Sequence, residues 1–146
     1  MSEFRWGAYD SIATYETTDL NALANDALVL GAAIDFTAGG VDRKHLMDIE
    51  LYLASVDLSA QTNPAAYIWI IARTDGTNFE DAAVTPARPP DDIIPLRVVN
   101  GAQRVFARGL KTTPDQGKIL IKNEAGAAWA ATGNTLKYYI YGDESI

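Results

Sequence analysis

Hydrophobic and polar residues alternate along most of the chain with a period of two, which is typical of half-buried β-strands. In the segment 45–55, HLMDIELYLAS, the apolar residues share one strand face: Met47, Ile49, Leu51 and Leu53. In the segment 27–36, ALVLGAAIDF, the alternate positions are also apolar: Leu28, Leu30, Ala32, Ile34 and Phe36. Further short runs are rich in β-branched and aromatic residues: YIWIIAR, QRVFARG, KILIKN and LKYYIY.

Turn-forming residues separate these runs. Glycine, proline, aspartate and asparagine cluster at 38–40, 75–76, 86–95, 115–117, 124–126 and 132–134. Strands this short, with turns this frequent, predict an all-β protein: an antiparallel β-sandwich, jelly-roll-like.

The first 26 residues lack a sustained strand or helix period. The best helical candidate is TTDLNALAND, residues 17–26, which is long enough for one or two turns. Upstream lie three large aromatic residues, Phe4, Trp6 and Tyr9, which must pack on the sandwich or on a neighbouring subunit to be covered. We predict an N-terminal arm over residues 1–26 that orders against neighbouring chains, followed by a β-sandwich domain over residues 27–146.

Composition narrows the class of protein. A chain of 146 residues with 48% hydrophobic and 21% charged residues is typical of one soluble globular domain. The net charge of −7 disfavours nucleic acid and anionic membranes as partners. Cysteine is absent, which excludes disulfides and thiolate chemistry. No apolar run approaches the ~20 residues of a membrane span, and the N-terminus does not resemble a signal peptide, so we expect synthesis in a cytoplasm.

Charge is unevenly distributed. Residues 88–122 hold seven basic and three acidic side chains, a net charge of +4, whereas residues 1–87 hold four basic and thirteen acidic ones, a net charge of −9. Such asymmetry suits head-to-tail contacts between subunits or contacts with a lattice. Charges scattered for solubility are the alternative.

Signatures of catalysis are missing from the sequence. His45 is the only histidine, which excludes a two-histidine metal site, and no nucleophile elbow accompanies it. Asp48 and Glu50 project from one strand face, but a carboxylate pair can hydrolyse glycosides only in a deep cleft. We predict that the protein is not an enzyme and has no catalytic residue, metal or cofactor.

The segment 69–81, WIIARTDGTNFED, ends a strand in an acidic, glycine-bearing turn. Its spacing does not fit an EF-hand loop, although an irregular calcium site or a carbohydrate contact is an alternative. The favoured interpretation is a metal-free tight turn, in which Asp75-Gly76 supplies positive φ and the side chain of Thr77 or Asn78 closes the turn by hydrogen bonding.

Four stretches resemble a family of tailed-bacteriophage structural proteins: TTDLNALANDALVLGAAID (17–35), IARTDGTNFED (71–81), QRVFARGLKTTPDQGKILIKNEAG (103–126) and AATGNTLKYYIY (130–141). The resemblance implies a virion component, most plausibly a capsid decoration (cement) protein. Such proteins are made in the host cytoplasm and bind the outside of the head, usually as trimers or other small homo-oligomers. They clamp neighbouring copies of the major capsid protein.

Two groups of residues are then the predicted partner-binding residues. Phe4, Trp6 and Tyr9 would anchor the arm on neighbouring subunits, because aromatic side chains dominate interface energetics. Arg88 and Arg97 come from the basic segment. The predicted partners are the major capsid protein and the chain itself, as a homotrimer or other small homo-oligomer, with no nucleic acid and no membrane.

A different class of function is a carbohydrate-binding or receptor-binding β-sandwich module of a tail or head fibre. Tyr67, Trp69 and Trp129 could stack on sugars if they were exposed.

Overall fold

The computed structural model describes residues 4–6, 11–37 and 44–145, with residues 4–6 and 143–145 described by their main chain. One turn of 3-10 helix covers Thr18–Leu20, inside the predicted helical segment. The strands of the described residues are, in chain order, β1 (Phe4–Trp6), β2 (Ala13–Glu16), β3 (Leu28–Leu30), β4 (Ile34–Asp35), β5 (Leu46–Asp57), β6 (Ala65–Ala72), β7 (Asp92–Pro95), β8 (Asn100–Lys111), β9 (Gln116–Glu124), β10 (Thr135–Tyr141) and β11 (Asp143–Ser145).

Two antiparallel sheets pack face to face. A four-stranded sheet has the order β2-β10-β5-β8, and a five-stranded sheet has the order β3-β9-β6-β7, with β4 also paired to β9. β1 and β11 form a separate two-stranded ribbon. Early strands pair with late ones: β2 with β10, β3 and β4 with β9, β5 with β8, and β6 with β7. Because these pairs alternate between the sheets, the topology is a jelly roll, and the predicted β-sandwich is confirmed.

The inner faces of the two sheets form the core. Met47, Ile49, Leu51 and Leu53 of β5 have no exposed surface, as their alternation predicted. They are covered from the five-stranded sheet by alternate residues of β6 and β9: Ile68, Ile70, Ile119 and Ile121. Burying such side chains stabilises the fold by roughly 1.5–3 kcal/mol each.

The alternation predicted for residues 27–36 is wrong in its first half. Val29 is buried, whereas Leu30 is 39% exposed; Ile34 and Phe36 do face the core. The register explains the change of face. Leu30 pairs with Leu120 and Ile34 pairs with Gly117, so three residues of one strand oppose two of the other. This extra residue shifts the side-chain alternation by one position, as a β-bulge does.

Tyr15 of β2 links the two sheets at one edge of the sandwich. Its hydroxyl donates to the Ala32 carbonyl at 2.7 Å and accepts from the Ile119 main-chain N–H at 2.9 Å. Its ring lies where a side chain at Gly31 would stand, since a Cβ there would lie 2.3 Å from the ring. Gly31 therefore allows this close approach.

The predicted boundary between arm and domain at Ala27 falls inside the packed part of the chain. β2 pairs with β10, and Leu20 and Leu23 belong to the hydrophobic core. The sandwich therefore begins at Ala13, because burial of these leucines and the β2 ladder tie residues 13–26 to it. Of the described residues of the predicted arm, 13–16 belong to the four-stranded sheet and 4–6 to the separate β1–β11 ribbon.

Two buried asparagines hold the connection from β2 to β3, which crosses from one sheet to the other. The Asn123 amide donates to the carbonyls of Leu23 (2.8 Å) and Ala127 (2.9 Å), and its oxygen accepts from the Ala125 N–H (2.8 Å). We call Asn123, Asn134 and the main-chain groups they bind the asparagine network.

Asn134 plays the same part from the other side of the connection. Its amide donates to the carbonyls of Leu20 (3.1 Å) and Ala130 (2.7 Å), and its oxygen accepts from the Ala54 N–H (3.0 Å). Both side chains are buried. Buried main-chain groups without a ladder need such partners, so the asparagine network closes this end of the sandwich.

We predict that Asn123→Ala lowers the free energy of unfolding by about 2–3 kcal/mol, because the buried Leu23 carbonyl and Ala125 N–H lose this partner. The matched control is Asn25→Ala, since the Asn25 side chain is exposed and accepts one bond, from the Gly126 N–H at 2.8 Å. The control should cost at most about 1 kcal/mol. Urea denaturation measures both, and equal losses would contradict this role of the network.

Alkaline pH should destabilise the fold through Tyr15, whose pKa is raised from 10.0 to about 12 by burial. Below pH 10 the folded and unfolded tyrosine are both neutral, so the full stability is present. As pH rises from 10 towards 12, only the unfolded tyrosine ionises, and stability falls. Tyr15→Phe should make the melting temperature fall less steeply over this range. An unchanged slope would show that Tyr15 does not contribute.

Candidate partner-binding surface

The outer face of the four-stranded sheet combines aromatic, basic and apolar side chains. We call this surface the aromatic–basic face, and it consists of Ile12, Asp48, Glu50, Tyr52, Arg104, Phe106, Arg108, Lys137, Tyr139 and Tyr141. The strand registers align its members in rows; one row runs Lys137, Glu50, Phe106 across three strands.

Asp48 anchors this face although it is only 8% exposed. Its carboxylate accepts hydrogen bonds from the hydroxyls of Tyr139 (2.7 Å) and Tyr141 (2.9 Å) and from the Gly109 N–H (2.8 Å). Gly109 has a φ of +66°, and the register between β5 and β8 shifts at this level, which turns its N–H towards the carboxylate. Asp48 therefore fixes two tyrosine rings, 5.6 Å apart, on the sheet.

Burial, followed by the bond to Asp48, raises the pKa of Tyr141 to about 12. Its hydroxyl is consequently a proton donor at neutral pH. Glu50, the other carboxylate of the pair considered for glycoside hydrolysis, binds Arg104 at 3.1 Å. The Asp48 carboxylate thus accepts three hydrogen bonds, and the Glu50 carboxylate forms an ion pair with a guanidinium. Both carboxylates therefore have structural roles in the sheet.

The cations of the face differ in their surroundings. Arg104 binds Glu50 and lies 5.1 Å from the centre of the Tyr52 ring. Arg108 lies over the Phe106 ring at 5.7 Å. Among the described residues, no carboxylate lies within 4.0 Å of the charged groups of Arg108 or Lys137. These two positive charges are available to a partner.

Two large apolar side chains stand exposed beside these cations. Ile12 is 60% and Phe106 is 49% exposed. With the cations Arg108 and Lys137, the carboxylates Asp48 and Glu50, and Tyr139, they line a shallow depression of about 80 Å³. Exposed apolar side chains beside charged ones of both signs make this depression a candidate protein-binding surface.

Two of the predicted anchors of the arm, Phe4 and Trp6, belong to a strand that pairs with the strand following β10 in the chain. Phe4 and Trp6 belong to β1, where their main chain pairs with Ser145 and Asp143 of β11. β11 starts two residues after the end of β10, the strand that carries the two tyrosines bound to Asp48. The side chains of Phe4 and Trp6, and all of Tyr9, lie outside the described residues. A ribbon of two such short strands is marginally stable alone, so it needs a packing partner.

Arg88 lies on the five-stranded sheet, apart from the aromatic–basic face. It donates two bonds to the Glu80 carboxylate (2.8 and 2.9 Å), one to Asp91 (3.0 Å) and one to the Ile70 carbonyl (2.9 Å). Its hydrogen bond to Glu80 is the main cause that raises the Arg88 pKa. Arg88 thus holds the β6–β7 loop onto the sheet. These contacts within the chain give the Arg88 guanidinium a structural role.

Arg97 lies in the connection between β7 and β8, with its side chain exposed. Its main-chain N–H and carbonyl both bind the buried Gln103 side chain, at 2.8 and 3.3 Å. Arg88 and Arg97 are not among the residues that line the depression on the aromatic–basic face. Among the described residues, the unpaired cations there are the exposed Arg108 and the half-buried Lys137, which the sequence did not single out.

The β6–β7 loop covers a second apolar cluster on the outer side of the five-stranded sheet. Trp69, Ile71, Ala82 and Leu120 are buried there, with Phe79 packed against them. Trp69 is 1% and Trp129 is 3% exposed, so neither offers a ring face to a sugar. Tyr67 is half-buried and meets Trp69 edge to face, with ring centres 6.1 Å apart.

The loop that begins at Asp75 is a tight turn. The Asp75 carboxylate accepts from the N–H groups of Thr77 (2.8 Å) and Asn78 (2.7 Å) and from the Asn78 side chain (2.8 Å). These bonds hold the Asp75 pKa at about 2. Gly76 has a φ of +78°, so the predicted turn is confirmed. In the described ranges, no three histidine, aspartate or glutamate side chains are grouped to hold a metal ion.

Comparison of the chain with protein-family models, with curated proteins and with solved structures found no match. Over the described ranges, no helix has the length and apolar character needed to cross a membrane.

We predict that Gly76→Val lowers the free energy of unfolding by about 1–2 kcal/mol, because a side chain resists positive φ. A Cβ at Gly76 meets no atom within 4 Å, so the whole effect is backbone strain. The control in the same loop is Asp81→Ala, which should change stability by less than about 0.5 kcal/mol. Thermal unfolding of both variants checks this; a tolerated valine would refute the strained turn.

Proposed function

We propose that this chain is a bacteriophage virion structural protein, a capsid decoration protein that binds the outside of the head and stabilises the lattice of the major capsid protein. It acts as a binding subunit, in the particle, and the proposal includes no catalytic step. Its copies self-associate as a homotrimer or other small homo-oligomer.

The observation that carries the proposal is the convergence of the family-like stretches on one network. Leu20 and Leu23 come from the first stretch, Asn123 from the third and Asn134 from the fourth, and they meet in the asparagine network. Three of the four resembling stretches thus contribute residues to the closure of one end of the jelly roll, and the second, 71–81, forms the Asp75 turn. A likeness in contacts that determine the fold supports kinship better than scattered matches do.

The fold and its surface fit this role, although a fold by itself does not establish a function. Jelly rolls are used in viral particles and in lectins. The aromatic–basic face supplies apolar and charged contacts on one open sheet. Many copies of a moderate contact raise the effective strength of the shell, because rupture must break several of them together.

The carbohydrate-binding alternative has weaker support. Two of the three aromatic residues proposed for stacking are buried: Trp69 beneath the β6–β7 loop and Trp129 in the core of the sandwich. The hydroxyls of Tyr139 and Tyr141 are bound to Asp48 and are less available to a sugar.

The test is addition of the purified protein to heads prepared without it, from the phage that encodes this chain. We expect saturable co-sedimentation, extra density on the outer surface of the imaged head, and rupture of the decorated heads at a higher temperature. Heads that already carry the protein serve as the control, because their sites are occupied. Density on the tail alone, or binding to a glycan array without binding to heads, would refute the proposal.

A further inference from the structure

We propose that the aromatic–basic face is the docking surface for the coat subunit, and that its occupant is an acidic segment carrying one apolar side chain. This inference rests on the proposed function and specifies which face binds and what chemistry it recognises. The juxtaposition that carries it is the depression between Ile12 and Phe106, bordered by Arg108 and Lys137.

The size of the depression sets the apolar part of the occupant. A depression of about 80 Å³ has room for one apolar side chain of a bound segment. Its apolar walls are Ile12 and Phe106, which are 60% and 49% exposed. Covering them removes apolar surface from water, which is the main source of binding free energy at the centre of an interface.

The charges set the polar part of the occupant. Arg108 and Lys137 have no carboxylate partner among the described residues, whereas Arg104 is neutralised by Glu50. Arg108 lies over the Phe106 ring, which holds the guanidinium at the rim of the depression. The face carries three cations, Arg104, Arg108 and Lys137, against two carboxylates, Asp48 and Glu50. Its excess of one positive charge would favour a partner carboxylate at the rim near Arg108 and Lys137, and such complementarity selects the partner and its orientation.

A protein segment fits these features better than an anionic polymer does. Two free cations around an apolar depression are few for a polyanion, and the net charge of −7 opposes one. β8 is moreover an edge strand of its sheet. Half of its main-chain groups therefore point away from β5, and an extended segment beside Phe106 could pair with them.

Two pairs of matched variants test the inference. Phe106→Ser is compared with Val98→Ser, because the two side chains are 49% and 50% exposed. Arg108→Glu is compared with Arg97→Glu, an equal charge reversal on an exposed arginine outside the face. Circular dichroism and melting temperature establish that each variant folds, and Arg108→Gln replaces Arg108→Glu if the glutamate is not tolerated beside Asp48.

We expect Phe106→Ser and Arg108→Glu to weaken binding to undecorated heads about tenfold or more, the loss typical of a central contact. Val98→Ser and Arg97→Glu should stay within about twofold of the wild type. Raising the ionic strength should weaken binding by the wild type more than binding by Arg108→Gln, because the wild type relies on one more charge pair.

The possible failures are distinguishable. If the wild type does not bind heads, the proposed function falls and this inference falls with it. If the wild type binds and both face variants bind equally well, only this inference is overturned. It is also overturned if Arg97→Glu is the damaging variant, or if the face variants lose self-association while keeping full affinity for heads, since the face would then join copies of this chain.

Discussion

The fold depends on satisfying the main chain where it crosses from one sheet to the other. Residues 21–27 leave β2 and enter β3 without a ladder of their own, yet Leu20 and Leu23 must be buried beside them. Buried main-chain groups without partners would cost more than the leucines contribute. Main-chain bonds to Asn123, Trp129 and Ala130 satisfy part of the connection. The Asn123 and Asn134 amides add bonds to the carbonyls of Leu23 and Leu20, so main chain and side chains together let the apolar connection join the core.

The two outer faces of the sandwich differ in whether a loop of the chain packs over them. On the five-stranded sheet, the β6–β7 loop folds back, Phe79 covers Trp69, and Arg88 fastens the loop through Glu80 and Asp91. On the four-stranded sheet, the described residues include no loop of this kind, and Asp48 instead holds two tyrosines upright. Apolar exposure alone does not separate the two faces, because Leu30 and Ile93 on strands of the five-stranded sheet are 39% and 48% exposed. On the four-stranded sheet, the exposed Phe106 has the cations Arg108 and Lys137 beside it, which suits a partner.

This asymmetry gives the proposed decoration role a physical form. Contacts at the face need only modest affinity if many copies act on one lattice. The positive charges around Phe106 stand on a chain of net charge −7, so under this proposal they would orient the subunit on approach as well as bind it.

The sequence by itself determined the sandwich, the buried face of β5 and the turn at Gly76, because alternation and turn chemistry are local properties. It could not determine that one extra residue between Leu30 and Ile34 turns Leu30 outwards, since register depends on β9. Nor could it separate buried Trp69 from exposed Phe106, as both sit in alternating strands. Only the tertiary structure decides which face a loop covers, because that depends on contacts between residues far apart in the chain.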